Sequence, residues 1–182
     1  LDFSRMQNGG LVLAPELLDL GAEVDDALLM AGPRAQNEGV QLCFNEPELP
    51  CPVWADKNRL RQVFLNLLDN ALKYSPGGCT IALKLAVQGE QAVVEIQDEG
   101  PGIAPEDLAH IKTKFYKGRG AVRGSGIGLA VVDEIVAAHG GRFDIESNYG
   151  HGTLVRVSLP LKKAAPRPLP PAGENGPERK KA

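Results

Sequence analysis

A loop with three alternating glycines precedes an apolar helical pattern in the second half of the chain. The glycines are Gly124, Gly126 and Gly128, within the stretch VRGSGIGLAVVDEIV. Backbone N–H groups that open a helix bind phosphate, and glycine lets the phosphate approach closely. The spacing is neither the G-x-G-x-x-G of a dinucleotide-binding turn nor the G-x-x-x-x-G-K-[ST] of a P-loop. The pattern therefore predicts a phosphate-binding loop of another class.

Two asparagines and a lysine share one face of the most strongly helical segment, DKNRLRQVFLNLLDNALKY. Asn66, Asn70 and Lys73 lie at positions i, i+4 and i+7 of this segment. Because Asn is a poor helix former, two of them one turn apart suggest a function other than helix formation. An amide oxygen suits Mg²⁺ and an ammonium group suits phosphate. The alternative is a polar face that is merely solvated.

A carboxylate followed by two glycines ends the apolar pattern AVVEIQ. In the sequence DEGPGI, Asp98 stands at the end of the predicted strand, and Gly100 and Gly102 permit close approach by a ligand. The carboxylate can accept a hydrogen bond from an exocyclic amine such as adenine N6. A simple tight turn accounts for the same residues equally well.

The order of these segments resembles the N, G1, F and G2 boxes of sensor histidine kinases, which belong to the Bergerat-fold ATP-binding superfamily. The matching segments are N-x-x-x-N-A-x-K-Y at 66–74, D-x-G-x-G-I at 98–103, KFYKG at 114–118, G-x-G-x-G-L at 124–129 and G-x-G-T at 150–153. The resemblance covers nearly the whole chain to about Leu161. Each segment alone is weakly specific, whereas the complete series in order is very specific.

The resemblance implies ATP and Mg²⁺ as ligands and gives each matching residue a role. Asn70, with Asn66 beside it, would bind Mg²⁺, and Asp98 would bind adenine N6. The remaining ligand-binding positions that the resemblance implies are Lys73 and Tyr74 near the phosphates or ribose, Gly100, Gly102, Ile103 and Thr153 around the base, Phe115, Tyr116 and Lys117 of the F box, and Gly124, Ser125, Gly126, Ile127, Gly128 and Leu129 over the phosphates. The F box, IKTKFYKG, and the short lid GRGAVRG depart from the commoner pattern of the family.

The implied reaction is transfer of the γ-phosphoryl group of ATP to a histidine on a separate dimerisation domain. His110, His139 and His151 all lie outside the His-Glu/Asp-x-Arg-x-Pro pattern of an acceptor helix, so structural or surface positions are expected for them and no catalytic residue is assigned. Bergerat-fold ATPases carry Glu as general base where this chain has Asn66, which favours transfer over hydrolysis. A regulatory nucleotide-binding module without transfer activity, and a Bergerat-fold ATPase, are the alternatives.

The implied partners are the chain's own dimerisation and phosphoacceptor domain and a response regulator, within a homodimeric parent protein. The 182 residues carry a net charge of −3, which gives no reason to expect nucleic acid as a partner. Three cysteines without C-x-x-C spacing suggest a reducing compartment, and we expect a cytoplasmic domain. The sequence leaves open whether the parent protein is anchored in a membrane. A dinucleotide-binding oxidoreductase is disfavoured by the glycine spacing.

The elements that must position these residues form one α+β domain. We expect a two-layer α/β sandwich, in which a mixed, mostly antiparallel sheet packs on about three helices, as in the Bergerat ATP-binding fold. Helices are predicted near 20–37, ending at Gly39, at 57–74 with Asp56 as N-cap, and after Gly128, with Gly140 or Gly141 as the cap of the last one. The alternation around QGE predicts a hairpin. Residues 1–8 are expected to end a dimerisation helix, 9–161 to form the ATP-binding domain and 162–182 to form a disordered Pro-rich tail.

Overall fold

The computed structural model describes residues 11–118 and 125–162, which form two layers, one of strands and one of helices. No helix in these two ranges is long and apolar enough to cross a membrane. The helices are α1 (Leu20–Glu38), α2 (Lys57–Tyr74), the short α3 (Pro105–Leu108) and α4 (Gly128–Ala138). The strands are β1 (Glu16–Asp19), β2 (Gln41–Asn45), β3 (Pro52–Ala55), β4 (Thr80–Gln88), β5 (Gln91–Asp98), β6 (Arg142–Ser147) and β7 (Thr153–Pro160).

The main sheet has five strands in the order β2-β4-β5-β7-β6. The β2–β4 pair is parallel, and the other three pairs are antiparallel. This arrangement confirms the predicted mixed, mostly antiparallel sheet. Strands β1 and β3 form a separate two-stranded antiparallel sheet, which the sequence patterns did not predict.

One face of the main sheet carries the apolar core. Alternate residues of its central strands are buried there, including Ile81 and Leu83 of β4 and Val94 and Ile96 of β5. The strand period of two places these side chains on the same face, where α1, α2 and α4 cover them. The site residues therefore lie at the ends of elements whose positions this core fixes.

The structure confirms the predicted end of α1 and corrects the predicted end of α4. Gly39 follows α1 with φ 68°, in the left-handed region that suits a glycine after a helix. For α4, however, the capping residue is His139 rather than Gly140 or Gly141. Gly140, with φ 70°, comes one residue later and provides the left-handed turn. The sequence pattern identified the left-handed glycine but placed the cap one residue too late, because α4 ends at Ala138 and its cap is the residue before that glycine.

Helix α4 lies beside the first half of α2 and runs in the opposite direction. At its start, a Cβ atom placed on Gly128 would lie 3.9 Å from Cγ of Asn66. At its end, the Asp56 N–H donates to Nε2 of His139 at 3.0 Å. Because Nδ1 of His139 lies 2.7 Å from the Ile135 carbonyl, which can only accept, the ring proton is on Nδ1. His139 thus has the structural position that the sequence predicted.

Candidate nucleotide-binding site

Asp98 occupies the last position of β5, and its carboxylate is held by two backbone N–H groups. Gly100 donates to Oδ1 at 2.9 Å and Thr153 donates to the same oxygen at 3.1 Å. Burial raises the pKa of Asp98, and the two hydrogen bonds offset this increase only in part. Within the described residues both bonds end on Oδ1, so the lone pairs of Oδ2 suit an incoming amine.

The two glycines after Asp98 are required by the packing of the protein backbone. A Cβ atom on Gly100 would lie 2.9 Å from the carbonyl oxygen of Tyr74, at the end of α2. Gly102 has φ 69°, and a Cβ atom there would lie 2.4 Å from the carbonyl oxygen of Asn148. The sequence interpretation assigned this space to a ligand. The fold itself uses it, because the loops around Asp98 pack backbone against backbone.

Three polar side chains form a row across the end of the sheet, on the face that carries the core. Asp98 of β5 is paired with Thr153 of β7, and Thr153 is paired with Ser147 of β6. On each strand these residues continue the line of buried apolar side chains. A row of polar side chains therefore replaces the apolar core at this end of the sheet, with Asp98 and Thr153 as the predicted base-binding groups.

Ser147 belongs to this row but was not among the residues that the sequence pointed out. Its hydroxyl group links the Ile103 N–H to the turn at Gly152 and Thr153. The signal for it lies in the strand pattern RFDIES, since Phe143, Ile145 and Ser147 alternate onto one face. A small polar residue at the end of an apolar row marks the edge of a core. Ser147 could have been identified from this pattern.

The residues that the sequence predicted to share one face of α2 form a half-buried polar face. Asn66, Asn70 and Lys73 are all partly exposed. The opposite face is buried and consists of Phe64, Leu67, Leu68, Ala71 and Leu72. The Lys73 ammonium group lies 3.1 Å from the hydroxyl of Tyr74 and 4.7 Å above its ring. Lys73 and Tyr74 are thus brought together at the end of α2.

The polar face connects the pocket at Asp98 to the glycine loop. Tyr74, at one end of this face, contacts Gly100 in the turn after Asp98. Asn66 lies beside Gly128, where the glycine loop becomes α4. The eight residue steps from Asn66 to Tyr74 span about 12 Å of helix. The positions predicted for a base, at Asp98, and for phosphates, at the glycine loop, therefore lie at opposite ends of one polar helix face.

The F box packs against the glycine loop through backbone contacts. The Phe115 N–H donates to the Gly126 carbonyl at 2.8 Å. Gly126 has φ 72°, and a Cβ atom there would lie 2.7 Å from the Tyr116 carbonyl oxygen. Phe115 itself has φ 66° and is 62% exposed. The predicted loop members Ser125, Ile127 and Leu129 lie in the same segment, whereas Gly124 lies outside the described residues.

The side chain of Tyr116 binds a carboxylate of the protein. Its hydroxyl donates to Oδ1 of Asp107 at 2.7 Å, and Asp107 is buried in the short helix α3. His110 is exposed, as expected, with its ring 5.6 Å from that of Tyr116. Lys117 is exposed as well. Asp107 is a second residue that the sequence did not point out, since an acidic residue in the first turn of a helix is ordinary.

Two lysines before the F box attach this segment to α4. Lys112 pairs with Asp133 at 3.1 Å, and its ammonium group lies 4.6 Å above the ring of Phe143. Lys114 pairs with Glu134 at 3.2 Å. The base of the segment is therefore held against the helix that the glycine loop opens.

The donor groups on α2 fit a magnesium ion that also binds phosphate. In the ranges 11–118 and 125–162, no three His, Cys, Asp or Glu side chains are close enough to bind a metal ion by themselves. Mg²⁺ in nucleotide sites retains waters and takes substrate phosphate oxygens together with one or two protein ligands. The amide oxygens of Asn66 and Asn70 suit such a partial ligand set.

The comparison with known families identifies the family of this chain. Residues 55–163 match the family of histidine kinase-, DNA gyrase B- and HSP90-like ATPases. The chain belongs to this family. The matched range begins just before α2 and includes the polar row, the F box and the glycine loop, so the predicted segments are those of an ATPase family member.

Similar proteins of this family include named histidine kinases. The histidine protein kinase DivJ of Caulobacter vibrioides is 36% identical over 94% of this chain and 30% of its own length. The sensor protein SrrB of Staphylococcus aureus is 33% identical over 88% of the chain and 28% of its own length. The chain thus spans less than a third of these relatives.

Solved structures of histidine kinases share the fold. The mycobacterial sensor histidine kinase MprB superposes with a TM-score of 0.71 at 28% identity, over 83% of this chain and 100% of that chain. Full-length ShkA, in complex with AMPPNP, gives a TM-score of 0.78 at 29% identity, over 90% of this chain and 34% of that chain. The α/β architecture predicted from the sequence is therefore confirmed.

Proposed function

We propose that this chain is the ATP-binding catalytic domain of a sensor histidine kinase. It transfers the γ-phosphoryl group of ATP to a histidine on a separate acceptor domain. The observation that carries this proposal is Asn66, which lies beside Gly128 at the start of the glycine loop. An asparagine cannot accept a proton at neutral pH, so the phosphate end of the site has no general base at the position where hydrolysing Bergerat-fold relatives carry Glu.

The residues of the site bind and orient ATP, with Asp98 receiving the exocyclic amine of adenine. Lys73, Tyr74 and the F box lie along the path to the phosphates, which the glycine loop and the start of α4 bind through backbone N–H groups. Mg²⁺, held by Asn70 with Asn66, would neutralise phosphate charge when bound. Phosphoryl transfer depends mainly on such positioning and charge neutralisation, so the domain needs no nucleophile of its own.

The proposed partners follow from the relatives, which are named as a histidine protein kinase and a sensor protein. We propose an acceptor and dimerisation domain within a homodimeric parent protein, a response regulator as the next phosphoryl acceptor, and a cytoplasmic position for this domain. In this arrangement residues 1–8 end the dimerisation helix, 9–161 form the catalytic domain and 162–182 are a tail. Residues 1–8 and 163–182 lie outside the described part of the chain.

Transfer in trans tests the proposed function against a regulatory module without transfer activity. The purified chain is incubated with Mg²⁺, γ-labelled ATP and the acceptor-helix domain of the same parent protein as a separate polypeptide. We expect label on the acceptor histidine and none after Asn70→Ala, which removes a magnesium ligand. Asn58→Ala, an exposed change in the first turn of α2, serves as control and should transfer normally. Binding of ATP without any labelling of the acceptor would contradict the proposal and favour the regulatory module.

A further inference from the structure

The hydroxyl group of Ser147 uses all of its hydrogen-bonding capacity within the protein. It accepts the Ile103 N–H at 2.7 Å and donates its only proton to the Gly152 carbonyl at 2.8 Å. A serine hydroxyl has one proton and two lone pairs. Its third partner, the Thr153 hydroxyl at 3.0 Å, must therefore be the donor in that contact.

This saturation fixes the direction of the Thr153 hydroxyl. Because Thr153 spends its proton on Ser147, its Oγ1 retains only lone pairs for any other partner. The neighbouring Asp98 is a hydrogen-bond acceptor whenever its carboxylate is ionised, and the two residues are directly paired on β5 and β7. The polar row thus presents two acceptors side by side, although a threonine hydroxyl is able to act as donor or acceptor.

We propose that Ser147 is a positioning residue for base selection, which acts by holding the Thr153 hydroxyl as an acceptor. The pocket then favours purines that carry an exocyclic amine at position 6 and disfavours those that carry a carbonyl oxygen there. An amine offers two N–H donors to the two acceptors, whereas a carbonyl oxygen meets only lone pairs. This inference rests on the proposed function, since it assumes that the polar row binds the base of a nucleotide.

Discrimination between an amine and a carbonyl at position 6 of the purine is strong, because the wrong group leaves buried polar groups without hydrogen-bond partners. An unsatisfied buried group costs about 1–3 kcal/mol, which corresponds to a factor of roughly 5 to 150 in affinity. We therefore expect the wild-type chain to bind ATP on the order of 100-fold more tightly than inosine triphosphate. Inosine triphosphate keeps the sugar and phosphates and exchanges the amine for a carbonyl group.

The test measures the ratio of the dissociation constants for inosine triphosphate and ATP by calorimetry with Mg²⁺. Ser147→Ala frees the Thr153 hydroxyl to rotate and donate to a carbonyl, so the ratio should fall about tenfold. Ser147→Thr keeps a hydroxyl at the position and should keep the ratio within about twofold of wild type. A purely structural role for Ser147 predicts instead that both affinities fall together in Ser147→Ala and that the ratio is unchanged, which would overturn the inference.

A double-mutant cycle shows whether Ser147 acts through Thr153. Thr153→Val removes the hydroxyl but leaves the bonds of Ser147 to Ile103 and Gly152, so it also serves if Ser147→Ala fails to fold. We expect its ratio to fall, and the ratio of the double variant to equal that of Thr153→Val alone. An unchanged ratio of dissociation constants in Thr153→Val, or additive effects of the two substitutions on that ratio, would overturn this inference but not the proposed function. A wild-type chain that binds neither nucleotide would overturn the proposed function as well.

Discussion

Asp98, which we propose binds the base, carries a charge that opposes the stability of the fold. Its burial raises its pKa, and only part of this increase is offset by the N–H groups of Gly100 and Thr153. The folded state therefore favours the protonated carboxyl group more than the unfolded state does. The stabilisation that protonation supplies is fully present below the unfolded pKa of about 3.8 and is lost as the pH rises through the higher folded pKa.

Replacing this carboxylate should separate stability from binding. We expect Asp98→Asn to raise the melting temperature of the ligand-free chain at pH 7, since the amide keeps an acceptor oxygen for Gly100 and Thr153 without the charge. The affinity for ATP should fall on the order of 100-fold. Thermal unfolding between pH 4 and 8, with the exposed Glu106→Gln as control, measures the first effect and calorimetry the second. A lower melting temperature at pH 7 would contradict this account of Asp98.

Gly152 has a steric role that a neighbouring glycine allows to be measured. Both Gly150 and Gly152 have positive φ angles, of 89° and 97°. A Cβ atom on Gly152 would lie 2.1 Å from the Asp98 carbonyl oxygen, whereas one on Gly150 meets nothing within 4 Å.

Substitution of each glycine by alanine should therefore differ in cost. Gly150→Ala adds only the strain of a left-handed alanine, about 1–2 kcal/mol. Gly152→Ala adds the same strain and forces β5 and β7 apart, so we expect a loss of at least about 3 kcal/mol or failure to fold. Urea unfolding measures both variants. Equal free energies of unfolding would show that the close approach of β5 and β7 relaxes without cost.

At the scale of the elements, Asp56 joins three segments at the start of α2. Its carboxylate accepts from the Arg59 N–H at 3.1 Å as N-cap and from the Ala14 N–H at 3.0 Å. Burial by itself raises the pKa of Asp56, but the backbone N–H groups of Ala14, Arg59 and Asn58 and the Arg59 charge outweigh it, and the pKa is lowered. Its backbone N–H also binds His139 at the end of α4.

Removal of this cap should destabilise the whole domain. Asp56→Ala is expected to lower the free energy of unfolding by about 2 kcal/mol at pH 7, since it leaves the start of α2 uncapped and the Ala14 N–H unpaired. Because the pKa is lowered in the fold, the difference from wild type should persist above pH 4 and shrink as the pH falls through the folded pKa. Denaturant unfolding at several pH values measures this, with Asn58→Ala as a control that should change little. A difference that grows with acidity would exclude this linkage.

Most elements were predictable because local patterns determine them. The spacing of apolar residues and the caps Asp56 and Gly39 defined α1 and α2, and the alternation around QGE defined the β4–β5 hairpin. The pairing of β1 with β3 was not predictable, since four-residue strands more than thirty residues apart leave no local signal of their partner. The polar row was only partly predictable for the same reason. Ser147 becomes a neighbour of Asp98 only through the register of β6, β7 and β5.

For the whole molecule, the presence of Asn66 beside Gly128, where hydrolysing relatives carry a general base, predicts a slow ATPase. We expect the isolated chain to bind ATP, and to be stabilised by it against unfolding, with negligible steady-state hydrolysis. A coupled phosphate-release assay over hours, next to a thermal shift measurement with Mg²⁺ and ATP, checks both expectations. Robust turnover without an acceptor domain would contradict the transfer function and favour the hydrolysing members of the family.

The small sheet of β1 and β3 also determines where the described domain joins the rest of its chain. At one end of β3, Asp56 holds the Ala14 N–H, and at the other end Pro52 accepts the Lys162 N–H at 2.8 Å. Residues near the two ends of the described chain, Ala14 and Lys162, thus contact the domain at the two ends of one four-residue strand. The pocket at Thr153 lies at the opposite end of β7, about 24 Å away for seven steps of 3.4 Å. The described chain therefore enters and leaves the domain on the side away from the residues that we propose bind the base.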